Sequence, residues 1–142
     1  MKTIQVRVDG TPCEKAGVIE RDGRTYVEVP AYVYDHVAVH RPLGPYLLPQ
    51  DEGWTVTHLR SGLAIMRDCL GPLRNIFAIA RGLDLILREV GDDLEDRSSK
   101  EHAIVKDYFL KFRPLAERKD AVTQAETEHW ARAWIENEVD DA

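Results

Sequence analysis

The sequence predicts an α+β fold, with an N-terminal antiparallel sheet of about five to six strands followed by three C-terminal helices. Apolar residues alternate with polar ones up to about residue 70, and they recur with helical spacing from residue 71 onward. The length of 142 residues and the 44% hydrophobic content suit one domain. We divide this domain, residues 1–142, into a β-sheet (1–70), a helix packed on the sheet (71–91) and an acidic helical part (98–142).

The strand predictions depend on alternation and on turn residues. Asp22-Gly23 is the strongest local signal, because this dipeptide accepts the positive φ angles of a type I′ turn between two strands. Gly62 is suited to the turn of a later hairpin in the same way. The predicted strands cover residues 4–8, 18–21, 24–29, 32–40, 54–59 and 63–66.

A loop with three prolines separates two of these strands, over residues 41–53. It carries Tyr46, Leu47 and Leu48, which are large side chains for a loop. We expect the loop either to cover the core or to meet a partner.

The helix predictions depend on residues that start or end helices and on apolar residues that recur on one face of each helix. The first helix opens at Gly71-Pro72 and closes at Gly91, with Leu85 outside its apolar arc. The second starts in the capping box at residues 98–101, and the third in that at residues 123–126. Trp130 and Trp134 lie one turn apart on the third helix, and two indoles on a short helix predict a homo-oligomer interface.

Composition excludes several classes of protein. No apolar segment reaches the roughly 20 residues that cross a bilayer, and the N-terminus does not have the pattern of a leader, so we expect a cytoplasmic protein without a membrane partner. Cys13 and Cys69 are not paired by spacing, which argues against a zinc or redox site. We expect no metal and no cofactor. The net charge of −6 is carried by residues 92–142.

Arginines recur at intervals of seven residues. Those in the predicted first helix keep one stripe, because a seven-residue step drifts by only about 20°. The stripe predicts a phosphate site, with Trp54 or Tyr46 stacking on a base. Surface ion pairs with Asp84 are the alternative explanation. The arginines of the predicted site are Arg60, Arg67, Arg74 and Arg81, and Arg88 continues the series.

Three histidines are the candidate catalytic groups if the protein is an enzyme: His36, His40 and His58. In one extended strand, His36 and His40 would lie roughly 13 Å apart, too far for one metal ion. Ser61 has the position of a turn residue, and it is not in a nucleophile elbow. A His-dependent phosphoesterase or transferase is therefore an alternative function.

Nucleic acid is a further alternative. The sequence pI of about 5.4 disfavours duplex DNA, whose affinity comes from neutralising phosphates. Arginines alternating with aromatic residues in the strands are compatible with a module that binds single-stranded nucleic acid.

Residues 54–65 have the pattern W-x-V-T-H-x-x-[ST]-G and are followed by a helix containing residues 78–83. This segment, about a quarter of the chain, resembles small uncharacterised proteins of bacteriophages and mobile elements. The resemblance implies a phage–host setting, in which such proteins bind and inhibit host defence machinery or sequester a nucleotide signal. It brings no catalytic residues with it.

Taken together, these observations predict a non-enzymatic, phage-type binding protein. It would inhibit a host defence factor by binding a host protein or by sequestering a phosphate-bearing nucleotide.

Overall fold

The structure is a computed structural model in which residues 1–8, 18–43 and 50–140 are described. It is an α+β fold, with an antiparallel sheet followed by three helices, as the sequence predicts. The strands are β1 (Lys2–Val8), β2 (Val18–Arg21), β3 (Arg24–Val33), β4 (Val37–His40), β5 (Trp54–His58) and β6 (Ala64–Cys69). The helices are α1 (Leu73–Val90), α2 (Lys100–Phe112) and α3 (Gln124–Asp140), and a 3-10 turn over Arg113–Leu115 follows α2.

The sheet has the strand order β1-β3-β4-β5-β6, and β2 pairs with β3 beside this path. The long strand β3 pairs with β1 and β2 along its first part and with β4 through its last two residues, Tyr32 and Val33. The backbone amide of Arg7 in β1 donates to the carbonyl of Gly62, in the turn between β5 and β6, at 2.8 Å. Since β1 lies at the opposite edge from β6, the sheet must curl to make this bond.

Both predicted hairpins are confirmed. Arg21 pairs with Arg24, and Asp22 and Gly23 between them have φ of 53° and 72°, as a type I′ turn requires. Gly62 has φ of 74°, and an added Cβ would meet Tyr26 Cε1 at 3.0 Å. A side chain at residue 62 would therefore be strained and crowded.

The prediction of one strand over residues 32–40 is wrong. β3 ends at Val33, residues 34–36 form a tight turn, and the chain returns antiparallel as β4. The Tyr34 amide donates to the Val37 carbonyl at 2.8 Å and closes the turn. No glycine or proline marks this turn, and its aromatic and β-branched neighbours favour a strand.

Helix α1 covers one face of the sheet, which we call the outer face, by packing on β4 and β5. Its predicted apolar arc is buried there, with Ile79, Leu83 and Ile86 fully inaccessible. Leu85, which the sequence places outside this arc, is also buried, at 7% exposure. It belongs to the main core, because α2 and α3 pack on α1 and cover a wider stripe than one sheet would.

The α2 and α3 helices start where the sequence predicts. Ser99 is the N-cap of α2, and its hydroxyl accepts from the His102 amide at 3.1 Å. The Thr123 hydroxyl accepts from the Glu126 amide at 3.1 Å at the start of α3. Tyr108 of α2 is fully buried and donates to the Ile79 carbonyl of α1 at 2.6 Å. Gly82 makes this close packing possible, because an added Cβ would overlap the Tyr108 hydroxyl.

The opposite face of the sheet, which we call the inner face, is enclosed by the curl of the sheet itself. A second, smaller core lies there, made by side chains of β1, β3 and β4. Its buried members are Ile4, Val6, Val27, Val29, Ala31 and Ala38. Among the helices within the described ranges, none is both long and apolar enough to cross a bilayer.

Candidate functional site

Aromatic and arginine side chains gather where the end of β3 meets α1. The ring of Tyr32 packs edge-on against Phe77, with centroids 5.0 Å apart and planes at 85°, and it lies 6.3 Å from Trp54. The Arg41 guanidinium stacks over the Trp54 ring at 3.8 Å. With Tyr34 and Arg81 added, we call these residues the arginine–aromatic seam.

The seam borders an open groove of about 340 Å³. Its walls include the rings of Tyr32, Tyr34 and Phe77, and Lys2 of β1 lines it as well. Tyr32 lies in β3 and Tyr34 directly follows the strand, and both residues line the groove. Tyr32 keeps 37% of its surface exposed, which is high for a large aromatic residue at a strand end. The groove therefore offers stacking surface to a ligand.

Besides Lys2, Arg81 supplies a positive charge close to this groove, because its guanidinium neighbours Tyr34. It is exposed on α1, and its Nη1 donates to Gln124 Oε1 at 2.6 Å. Burial raises the pKa of the Tyr34 hydroxyl, and the neighbouring Arg81 guanidinium opposes that rise. Asp84, one turn further along, accepts from the His36 amide at 2.6 Å and is 6% exposed. Asp84 thus lies in the interior, and the described ion pairs do not join it to Arg81 or Arg88.

The structure does not bring the four predicted arginines together. Arg74 begins α1 and donates to the Lys119 carbonyl at 3.0 Å, whereas Arg60 lines a cavity with residues 92–95, beyond the other end of α1. An 18-residue helix is about 27 Å long, so these two side chains cannot hold one phosphate. Arg67 lies on the inner face. Of the set, only Arg81 lies beside the aromatic rings.

Two of the three histidines meet at one carboxylate, that of Asp92. His58 Nε2 hydrogen bonds to Asp92 Oδ1, and His36 Nδ1 lies 3.4 Å from Asp92 Oδ2. His58 is 1% exposed, whereas the side chains of His36 and Asp92 are about a quarter exposed. The turn at residues 34–36 makes this meeting possible, since it turns His36 away from the line of β4.

Ser61 extends this network. Its hydroxyl lies 2.7 Å from His58 Nδ1 and accepts from the Leu63 amide at 3.2 Å. Because a carboxylate only accepts, His58 Nε2 carries a proton, and a neutral ring then takes the Ser61 proton at Nδ1. Serine, histidine and aspartate thus stand in the order of a nucleophilic triad, beside a cavity of about 100 Å³. The same two hydrogen bonds also fix the turn between β5 and β6, because both are made by the Ser61 hydroxyl.

His40 lies apart from this network, on the inner face. Its Nδ1 donates to the Arg41 carbonyl and its Nε2 accepts from the Thr57 hydroxyl, both at 2.7 Å. Burial lowers the pKa of His40, and the Arg41 carbonyl partly opposes the change. A neutral imidazole with both nitrogens occupied is suited to a structural role.

Other predicted groups lie outside any site or outside the described residues. Burial raises the pKa of the Cys69 thiol, which opposes a nucleophilic role. Trp130 is 37% exposed on α3, with the Lys111 ammonium 4.3 Å from its ring. Tyr46 and Cys13 fall outside the described residues, as does the side chain of Trp134. In the described part, no three His, Cys, Asp or Glu side chains form a metal-binding group.

The sequence analysis did not identify the residues that organise the arginine–aromatic seam and the histidine–Asp92 network. Asp92 reads as part of a polar linker, and only its two neighbours in space, His36 and His58, reveal its role. Phe77 reads as a core residue, and Tyr32 reads as one of several aromatic strand residues that either form the core or accompany the arginines. Phe77 and Arg81 are four residues apart, and this spacing on a helix is a sequence signal that places both residues on one face.

The chain was compared with protein-family models, curated proteins and solved structures, and no match was found in any of the three.

Proposed function

We propose that this chain is a non-enzymatic binding protein that holds a phosphate-bearing nucleotide on the arginine–aromatic seam. One observation carries the proposal: three aromatic rings line an open groove that has Arg81 at its border. A base has a π-face that stacks on such rings, and a phosphate pairs with a guanidinium.

Charge around the groove supports an anionic ligand. Lys2 lines the groove, Arg41 stacks on Trp54, and Arg81 borders Tyr34. The volume of about 340 Å³ falls within the usual range of small-molecule sites, 300 to 1,000 Å³. A single nucleotide fits these dimensions better than a folded nucleic acid does.

The resemblance of residues 54–65 to bacteriophage and mobile-element proteins supplies the setting. In that setting the protein sequesters a nucleotide signal and so inhibits a host defence factor. It works in the host cytoplasm, and Trp130 and Trp134 join copies of the chain into a homo-oligomer. Native mass spectrometry of the full chain and of Trp130→Ala tests the oligomer, since the variant should lose subunits.

A calorimetric titration with nucleoside mono-, di- and triphosphates tests the proposed ligand. We expect stoichiometric binding and unchanged nucleotide by chromatography. Arg81→Glu should weaken the Kd at least tenfold, about 1.4 kcal/mol, because it replaces an attractive charge by a repulsive one. Tyr32→Ala should weaken it by 1 to 3 kcal/mol, roughly the value of one stacked base.

Arg88→Glu is the matched control, because it makes the same change of charge on the exposed surface of the same helix. Equal weakening by Arg81→Glu and Arg88→Glu would reduce the effect to net charge. No binding of any nucleotide, together with a stable complex in host lysate, would favour a host protein as the partner. Tighter binding of a short single-stranded oligonucleotide would favour the nucleic-acid alternative.

A hydrolase is the second candidate, because Ser61, His58 and Asp92 form a hydrogen-bonded chain. It predicts turnover of an activated ester or phosphoester. His58→Ala should abolish that turnover, and His40→Ala should leave it in place. Stoichiometric binding without product contradicts this candidate.

A further inference from the structure

A groove of about 230 Å³ lies between strand β6 and helix α2. The residues that line it are different from those that line the groove of the arginine–aromatic seam. β6 is the last strand in the sheet order, and within the described ranges it pairs with β5 alone. The groove therefore lies at an edge of the sheet, and nothing in the proposed function uses it.

The strand side of the groove is formed by Leu63, Ala64 and Ile65. Two adjacent residues of β5, Val56 and Thr57, pair with Met66 and Ala64, which are not adjacent in β6. Ile65 is thus an extra residue, a β-bulge. In a regular strand, Ile65 and Met66 would face opposite sides of the sheet. Here Met66 belongs to the main core and Ile65 packs against it, so the bulge brings the Ile65 side chain to the outer face, where α2 lies.

The helix side of the groove is one stripe of α2. Its members follow the i, i+3, i+4, i+7 spacing, which places side chains on one face of a helix. They are His102, Val105, Lys106 and Phe109. Val105 is buried and Phe109 packs against the main core, whereas Lys106 is exposed. Leu94, which is buried, also lines the groove, so its walls are largely apolar with one ammonium group on the solvent side.

Lys106 gives the groove a positive charge that the protein does not neutralise. None of the described residues that line the groove is an aspartate or a glutamate. The residues three and four positions from Lys106 on α2 are not acidic either, so the helix offers it no ion pair. In the described part of the chain, its ammonium forms no hydrogen bond and no ion pair. An ammonium beside an apolar stripe is thus available to a carboxylate.

We propose that this groove binds a small monocarboxylic acid, with its carboxylate on Lys106 and its apolar body between Ile65 and Phe109. One ammonium balances one negative charge, which favours a carboxylate over a phosphate, whose charge approaches −2. The His102 ring, on the same stripe, carries an N–H that can donate to the same carboxylate. The volume lies below the 300 to 1,000 Å³ of usual small-molecule sites, so the ligand is compact.

The test is a titration of the 15N-labelled full chain, monitored by amide chemical shifts. The probes share one ring and differ in charge: 3-phenylpropionate, the neutral 3-phenylpropanol and the cationic 3-phenylpropylamine. We expect the acid to shift amides in residues 63–65, 94 and 102–109, and the alcohol to bind about tenfold more weakly. The amine should bind more weakly still, because its charge is repelled by Lys106.

Lys106→Gln should weaken binding of the acid about tenfold and leave binding of the alcohol unchanged. Lys106→Arg, which keeps the charge, should retain the preference for the acid. Lys100→Gln is the matched control, because it makes the same change at an exposed residue of α2 outside the stripe. Phe109→Ala should weaken binding of acid and alcohol alike, because it removes an apolar wall.

Equal binding of the acid and the alcohol, equal weakening by Lys106→Gln and Lys100→Gln, or shifts confined to other residues would overturn the proposal. Undiminished binding to a folded Phe109→Ala variant would overturn the placement of the apolar body. Lys106 is exposed, so its variants keep the test decisive if Phe109→Ala does not fold. No nucleotide enters the titration, so its outcome is separate from that of the nucleotide proposal.

Discussion

The outer and inner faces of the sheet bury very different amounts of side chain. Among the described residues, the core under α1 contains 21 buried members, whereas the core on the inner face contains six. The outer face is filled by three helices, and Gly82 is needed there because Tyr108 leaves no room for a side chain. The inner face keeps a pocket of about 270 Å³ beside its small core. The core on the outer face thus contributes most of the buried apolar surface, whereas the inner face is less completely filled.

The largest expected effect comes from overfilling the outer face. Gly82→Ala should lower the free energy of unfolding by about 3 kcal/mol, because the new methyl group overlaps the Tyr108 hydroxyl and lies 3.0 Å from Thr127 Cβ. Urea denaturation followed by circular dichroism measures this loss. Gly23→Ala is the control, since residue 23 has φ of 72° but no atom within 4 Å, and strain alone should cost about 1 kcal/mol. Equal losses would show that crowding under α1 is not the cause.

A smaller effect is expected from the polar interior of the helical layer. Asn75 is fully buried, and its side-chain amide donates to the carbonyls of Ala116, Arg118 and Asp120 and accepts from the Val122 amide. Asn75→Ala should cost about 2 kcal/mol, because it leaves buried backbone groups without a partner.

Thermal unfolding measures the Asn75→Ala loss, and Gln124→Ala, which removes an exposed amide, should change little. If the two variants have the same Tm, the segment over residues 116–122 is held by other contacts.

The smallest effect concerns His40 on the inner face. Burial lowers its pKa, so below about pH 6.5 the unfolded chain binds a proton that the folded chain does not. Stability is therefore unaffected above that pH and falls as the solution is acidified below it. The measurement is the free energy of unfolding from pH 7.5 to 5.5.

His40→Gln should flatten this dependence, whereas His129→Gln, which replaces an exposed histidine on α3, should retain it. An unchanged slope in His40→Gln would assign the acid sensitivity to groups other than His40.

Local signals predicted the elements but not the way they meet. Asp22-Gly23 and the apolar arc of α1 depend on neighbours in sequence, so the hairpin and the helix could be read directly. The turn at residues 34–36 has no glycine or proline, and the meeting of His36 with Asp92 depends on it. The bulge in β6 likewise has no sequence signal, because it arises from the pairing of β6 with β5. The sequence therefore named Arg81 and His58 as candidates but could not provide their partners.

In the part of the chain that the structure describes, every strand precedes every helix, and this order has a consequence for biosynthesis. A ribosome releases the N-terminal part first, so the outer face of the sheet emerges before α1 exists to cover it. Val37, Val39 and Val56 then expose an apolar surface until residues 73–90 have followed. During that interval the nascent sheet can aggregate or bind chaperones. The rate at which residues 73–90 are translated sets the length of the interval.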